Sequence, residues 1–339
     1  MNTLETRSGV KPPPLAAAKP ARAWRNALHA AALASLVVLP FVLDAYYLSL
    51  ALPFMAYAIV LLGFNFLFGY GGLLSFGGAF FVAVGAYAAA FFPRIFGGAS
   101  LEGMIAFAVT VALVVAIPVA LISCRFTGIF FGMLTLSFGM IFHSFLMKFY
   151  SLTGGETGLL VAQPTLFGVD YSHLDRLEFL AGPFYYYCAF LLAAAYLLMW
   201  RLICSPFGLH LMAARDNETK ATYLGVRVYR VRAIAFVVAA VYGAVGGVVL
   251  AVNTGLADPE LAYWTHSGQL VFMTVLGGYQ ILIGPIIGAL VFTLLQDQLQ
   301  SVTQYWRLSM GVVLATLVIV APGGIAGALK RWSSKRRSA

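Results

Sequence analysis

The chain is 339 residues long, 61% hydrophobic and only 10% charged, with a net charge of +9. Soluble domains carry roughly 25% charged residues, so this composition excludes a water-soluble globular protein and points to an all-α integral membrane protein. Its apolar runs are continuous instead of alternating, which excludes a transmembrane barrel, and without water in the bilayer core each run must be a helix that satisfies its own backbone.

Residues 1–26, with KPPP at 11–14, read as a disordered cytoplasmic arm. A first helix is expected near 27–43; it is longer than a typical signal-peptide core and lacks a clear small-residue cleavage site, so a retained helix is expected. Further helices are expected near 48–68, 77–96, 103–123, 128–148 and 183–203, each close to the ~20 residues that cross a hydrocarbon layer. Lys and Arg mark the cytoplasmic side. They concentrate in the arm (Arg7, Lys11, Lys19, Arg22, Arg25), in a polar island and its flanks (Arg201, Arg215, Lys220, Arg227, Arg230, Arg232), and in the tail at 330–339. Six passes return the chain to its starting side, which puts the island inside and the loop at 149–182, with Glu156, Asp170, Asp175 and Glu178, outside.

Beyond the island come 232–252, a Gly-rich stretch at 268–297, and 308–328. An inside tail needs an even number of passes here, and three are visible by hydropathy. Gly277, Gly278, Gly284 and Pro285 in LGGYQILIGP interrupt the apolar run. Residues 268–297 are therefore expected to hold two short passes or a re-entrant pair, giving a polytopic bundle of about ten membrane segments with a possible internal repeat.

Enzyme constellations are absent: there is no GxxxxGK[ST], HExxH, GxSxG or CxxC. His143 and Lys148 are five apart and share no face, while Cys124, Cys188 and Cys204 have no metal or disulfide spacing and read as packing residues. The twelve Asp and Glu fall in loops or at span ends, Asp297 among the latter. A proton-coupled secondary transporter needs a carboxylate at mid-depth, and a membrane-embedded enzyme needs a convergent polar cluster; neither is evident. The positive charge suits anionic membrane lipid and calls for no nucleic acid.

The island, SPFGLHLMAARDNETKATYLGV at 205–226, reads as two short helices. Ser205 caps the first and Pro206 suits its first turn, giving a helix at about 206–214. Asp216 or Asn217 caps a second of about seven residues, which ends before Gly225, a residue suited to a left-handed cap. Ala221 and Leu224 are three apart and are expected to offer one apolar face to a groove on another protein, with Arg215, Asp216 and Glu218 at the rim. The bland alternative is a loop lying on the lipid surface, but a surface-binding helix is expected to be predominantly basic.

These residues closely resemble the cytoplasmic loop of LivM-type permeases of the branched-chain amino acid ABC transporter family. Similar segments are GYGGLLSFGGAFFVAVGAYAAA at 69–90, GIFFGMLTLSFGMIFHSF at 128–145, SLTGGETGL at 151–159 and LGGYQILIGPIIGA at 276–289. The resemblance implies a transmembrane permease domain at 27–329 with a coupling segment at 204–231, in a multi-pass protein of a bacterial inner membrane whose two termini are cytoplasmic. It implies four kinds of partner: a second, LivH-like permease, two ABC ATPase subunits, a periplasmic solute-binding protein and membrane lipid. The chain would bind no cofactor, ATP and Mg belonging to the ATPases. Arg215, Asp216, Asn217, Glu218, Ala221, Leu224 and Gly225 would make the ATPase coupling.

The glycines admit two readings. They are small residues that let helices approach closely, or breaks that expose backbone amides along a solute path. On the second reading the pathway residues are Gly72, Ser75, Gly77, Gly78, Gly277 and Gly278, with Thr153, Gly154 and Gly155 in an outer loop where a binding protein docks or delivers solute. Many relatives read GQLSLGH where this chain has GLLSFGG, so Leu73 and Gly78 replace polar residues, and Gln280 stands where a small residue is usual. Branched-chain or other hydrophobic amino acids are the implied cargo, with urea, amides or aromatic acids as alternatives.

Overall fold

The computed structural model describes residues 45–171, 173–320 and 323–327, all within one compact unit, Leu43–Ala339. The arm, the helix expected near 27–43 and the tail at 330–339 lie outside the described residues.

Helix α1 (Ala45–Asn65) continues as a π-helical turn, Phe66–Tyr70. There the Gly71 N–H donates to the Phe66 carbonyl at 3.1 Å, five residues back. After an irregular stretch come α2 (Gly78–Phe96), α3 (Leu101–Ser123) and α4 (Ile129–Lys148). A loop carries β1 (Leu159–Leu160), then one helical turn (Arg176–Phe179) and a second π turn (Leu180–Phe184) lead into α5 (Tyr185–Ile203). The island forms α6 (Pro206–Asp216) and α7 (Glu218–Tyr223), and α8 (Val228–Thr254) follows. Strand β2 (Leu256–Ala257) pairs antiparallel with β1. The chain then forms α9 (Trp264–Gly277), α10 (Gly284–Val302) and α11 (Trp306–Val320).

Among the described residues six helices are long and apolar enough to cross a membrane: Ala51–Tyr70, Gly78–Phe96, Leu101–Ser123, Ile129–Lys148, Arg176–Ile203 and Val228–Thr254. The expected helix at 183–203 thus begins seven residues early, because Pro183 sits inside a π turn that carries the helix through instead of ending it. The Gly-rich stretch is divided where expected, into α9 and α10 with a bend at 278–283. Ten crossing segments are not established by these residues, since the segment at 27–43 is outside them and α9, α10 and α11 fall outside the six.

Helix α8 packs against α1, α2 and α3 and is the centre of the bundle. Its sequence explains this position, for AVYGAVGG at 240–247 places small residues where backbones meet. A methyl group on Gly246 would lie 2.8 Å from the Ala56 carbonyl oxygen in α1, and one on Gly247 would run into the Val82 backbone of α2. Gly85 of α2 makes the reciprocal approach to Ala244. In the same way Gly277 and Gly288 seat α9 directly on α10.

The loops gather at two ends. At one end the island meets α5 and α8, and beside it the Tyr229 hydroxyl of α8 donates to the Leu121 carbonyl of α3 at 2.8 Å. At the other, the β1–β2 pair joins the bridge between Ser100 and Thr165, and Glu102 accepts from the Phe167 N–H at 2.9 Å. The island and the 151–159 loop are therefore on opposite ends of the bundle, with α5 running between them.

Replacing Gly247 by Leu forces α8 off α2 and is expected to destabilise the fold by about 1–3 kcal/mol, or more if the helices separate. Gly98→Ala, at a position with open space around it, is expected to stay within about 0.5 kcal/mol of the unaltered protein. Thermal unfolding in detergent checks both.

Candidate functional site

The island folds by local chemistry. Ser205 is the N-cap of α6, its hydroxyl accepting from the Gly208 N–H at 3.4 Å, with Pro206 in the first turn. Asn217, not Asp216, caps α7: its side-chain oxygen accepts from the Lys220 N–H at 2.9 Å. Asn217 is in the extended region, φ −160°, so the chain bends between the two helices. Gly225 ends the hairpin in the left-handed region at φ +85°.

Ala214, Ala221 and Val228 close a small core between α6, α7 and the start of α8. Ala221 is 2% exposed and Leu224 is 83% exposed, so the expected shared face does not exist. With only six residues, α7 ends at Tyr223, and Leu224 lies beyond its last turn, where helical spacing no longer applies. The exposed apolar pair is Tyr223, 85% exposed, and Leu224. Tyr223 had one sequence signal, its position just before the cap of a helix too short to bury it.

Glu218 is not a free rim charge. Both its carboxylate oxygens accept from Arg232 of α8, at 3.0 and 2.9 Å, and Arg232 is almost wholly buried. A bidentate pair of this kind fixes direction as well as distance, so α7 is pinned to the membrane helix that follows it. Nearby, burial pushes the Cys124 thiol up to about 12 against the opposing effect of Arg232, which leaves it unreactive at neutral pH.

Arg215 ties the island to the membrane region by another route. Its Nη1 donates to the Gly69 carbonyl at 2.7 Å, while Nε and Nη2 both donate to Asp216 Oδ1, at 2.9 and 2.7 Å. A cation is favoured here because the last carbonyls of a helix lack intrahelical donors and carry the negative end of its dipole. Gly72, at φ +69°, packs on the aliphatic stem of Arg215, and Gly71 faces Leu211 of α6. Gly72 therefore belongs with the island contacts.

Beyond Gly72 the irregular stretch runs between helices. Ser75 is 2% exposed, and its hydroxyl accepts from the Gly77 N–H at 3.1 Å. Thr135 of α4 accepts from the Phe76 N–H at 3.2 Å, and Ser267 of α9 accepts from the Ala79 N–H at 3.3 Å. Three amides at this break are thus already engaged by hydroxyls. Ser75, Gly77 and Gly78 line a cavity with Phe64 of α1 and Phe236 and Gly243 of α8. It measures ≈ 20 Å³, room for about one water molecule.

The other predicted pathway residues are elsewhere. Gly277 lies against Gly284, and Gly278, at φ +105°, lies against Gly323 and Gly324, so both serve close packing. Thr153 is buried at the opposite end, its hydroxyl donating within the turn that ends α4, to Leu146 and Phe149 carbonyls at 2.5 and 2.9 Å. Gly154 and Gly155 follow at φ +75° and +52° and turn the loop back toward β1. His143 packs on Tyr263, ring centres 5.0 Å apart. Among the described residues no group of three His, Cys, Asp or Glu is placed to hold a metal.

Comparison with known proteins follows the same lines. The family model described as branched-chain amino acid transport system, permease component, matches residues 46–321. The chain is 26% identical over 315 residues to the high-affinity branched-chain amino acid transport system permease protein LivM of Escherichia coli (strain K12), covering 85% of this chain and 72% of that protein. It is also 30% identical over 153 residues to the autoinducer 2 import system permease protein LsrC of Salmonella paratyphi B, covering 42% of this chain and 43% of that one. No solved structure matches the chain.

The Arg232 pair yields an expected outcome of its own. Glu218→Ala leaves a buried guanidinium without its carboxylate; because Glu218 is about half exposed, the cost is expected at about 1–3 kcal/mol, below that of a fully buried pair. The double variant Glu218→Ala with Arg232→Met removes the orphan charge, and thermal unfolding is expected to show partial recovery.

Proposed function

The chain belongs to the branched-chain amino acid transport system permease family, and we propose that it is the membrane-spanning permease subunit of an ATP-driven importer. Its cargo in this reading is branched-chain or other hydrophobic amino acids, moved across a bacterial inner membrane. The second permease, the two ABC ATPases that hold ATP and Mg, and the periplasmic solute-binding protein are separate polypeptides.

The observation that carries this reading is the hairpin α6–α7. It is capped at both starts, anchored by Glu218–Arg232 and Arg215–Gly69, and presents Tyr223 and Leu224 almost fully exposed at its tip. A rigid peg with an apolar tip suits a groove on an ATPase. Closure of two ATPases then moves the peg, and its anchors pass the movement to α1 and α8. Solute passes along the cavity by Ser75, Gly77 and Gly78, where α1, α2 and α8 meet. The loop with Thr153, Gly154 and Gly155, at the opposite end, receives the binding protein. In this orientation the island and both termini are cytoplasmic.

A second cargo class is supported by the departures at Leu73 and Gly78 and by the partial likeness to permeases named for autoinducer 2 import. Polar solutes such as urea or amides, or aromatic acids, belong to it.

Affinity purification from native membranes in mild detergent tests the assembly. The unaltered chain is expected to bring down ATPases and a second permease, and Tyr223→Ala with Leu224→Ala is expected to lose the ATPases while inserting normally. Recovery of the unaltered chain alone would favour a stand-alone secondary transporter. A cysteine at Lys220 that labels only from the periplasmic face would reverse the topology. Uptake of radiolabelled leucine into proteoliposomes, competed by isoleucine but not by urea, separates the two cargo classes.

A further inference from the structure

We propose that Arg215 is a positioning residue for transport: a strut that carries island movement to the irregular stretch beside the cavity, working the π turn Phe66–Tyr70 as its joint. The proposal rests on the ATP-driven reading above and names the contact through which that drive enters the membrane region.

The hydrogen-bond register shows why the turn is a joint. In a continuing α-helix the Leu73 N–H would donate to Gly69. Here it donates to Leu67 at 3.1 Å, while the Gly72 N–H donates to Phe68 at 3.0 Å and the Gly71 N–H to Phe66. The Gly69 carbonyl is left to Arg215. Asp216 holds two other guanidinium nitrogens, so the Arg215 head is fixed relative to α6. The contact is broad as well as polar, since Phe66 meets Phe207 with ring centres 6.1 Å apart, Gly71 meets Leu211 and Gly72 meets the Arg215 stem. Helix α6 therefore lies along the whole turn, and Ser75 of the cavity wall is three residues beyond Gly72.

Asn65 supplies an independent observation. It is the last residue of α1, is 0% exposed, and neither its amide nitrogen nor its amide oxygen has a partner among the described residues. Buried amides are nearly always paired, and an exception requires an explanation. Its Oδ1 lies against Gly69. The residue that opens the π turn is thus a buried amide whose hydrogen-bonding capacity is unused while Arg215 holds the Gly69 carbonyl, and π turns inside helices are frequent functional sites.

The test uses the chain purified with its ATPases in lipid nanodiscs, with Cys124, Cys188 and Cys204 replaced by Ala and Ser75→Cys as a reporter. Labelling of that thiol by a small maleimide is compared without nucleotide and with ATP and vanadate. The expected labelling rates differ about tenfold between the two states, within the usual range of allosteric coupling. Arg215→Met is expected to abolish the difference while the ATPases remain bound and hydrolyse ATP, and Arg215→Lys is expected to restore part of it. No nucleotide dependence with the native Arg215, or full dependence with Arg215→Met, overturns the strut. Loss of the ATPases in Arg215→Met makes Arg215 a docking residue and also overturns it. Failure of the native chain to bring down any ATPase instead counts against the ATP-driven reading. Asn65→Leu is a second, separate check: removing an unpaired buried amide is expected to raise the melting temperature of the nucleotide-free state. A lowered melting temperature contradicts the reading of Asn65 as an unpaired amide.

Discussion

A helix that stops within a membrane protein leaves carbonyls that water does not reach, and each must find a donor inside the chain. Most of this molecule answers to that requirement at one place. The first described helix loosens into a π turn and stops at Tyr70, and the carbonyl of Gly69 is met by Arg215, nearly 150 positions along the chain. The hydrogen bond fixes the polar island against the membrane region. It also fixes the start of the irregular stretch that follows, whose amides are met by Ser75, Thr135 and Ser267. Three helices that are distant in sequence are thereby held around one break.

The second organising feature is close backbone packing. With lipid as apolar as the side chains, burial of apolar surface does not itself bring membrane helices together, and contact area between backbones has to. Helix α8 meets this with Gly243, Gly246 and Gly247, and its other end carries Arg232, which holds Glu218 of the hairpin. One helix is therefore both the centre of the bundle and an anchor of the hairpin. Movement of the peg cannot be local, because its two anchors are on α1 and α8.

Features that depend on a few neighbouring residues were legible in advance. Ser205 and Pro206 mark the start of α6, and an Asx residue caps α7, because capping is a reaction between a side chain and amides two or three positions away. The Gly277–Gly278 and Gly284–Pro285 pairs mark the bend between α9 and α10 for the same reason. Spacing failed where an element was too short or too continuous for it. Ala221 and Leu224 are separated by the end of a six-residue helix, and one is buried while the other is exposed. The helix expected from 183 begins earlier, because Pro183 is carried inside a π turn.

The sequence by itself determined the solvent, the helical class, the positions of most helices and the two-helix form of the island, since composition, hydrophobic run length and capping are local properties of the chain. Only the tertiary structure decided what the marked residues do. Gly72 lies on Arg215, Gly277 and Gly278 lie on neighbouring backbones, Thr153 closes a turn, and only Ser75, Gly77 and Gly78 of that set line a cavity. A glycine signals that a backbone comes close or turns unusually, and the residue it approaches is set by how distant helices cross. The same holds for Glu218 and Arg215: their charges are visible in the sequence, but Arg232 and the Gly69 carbonyl become their partners through packing alone.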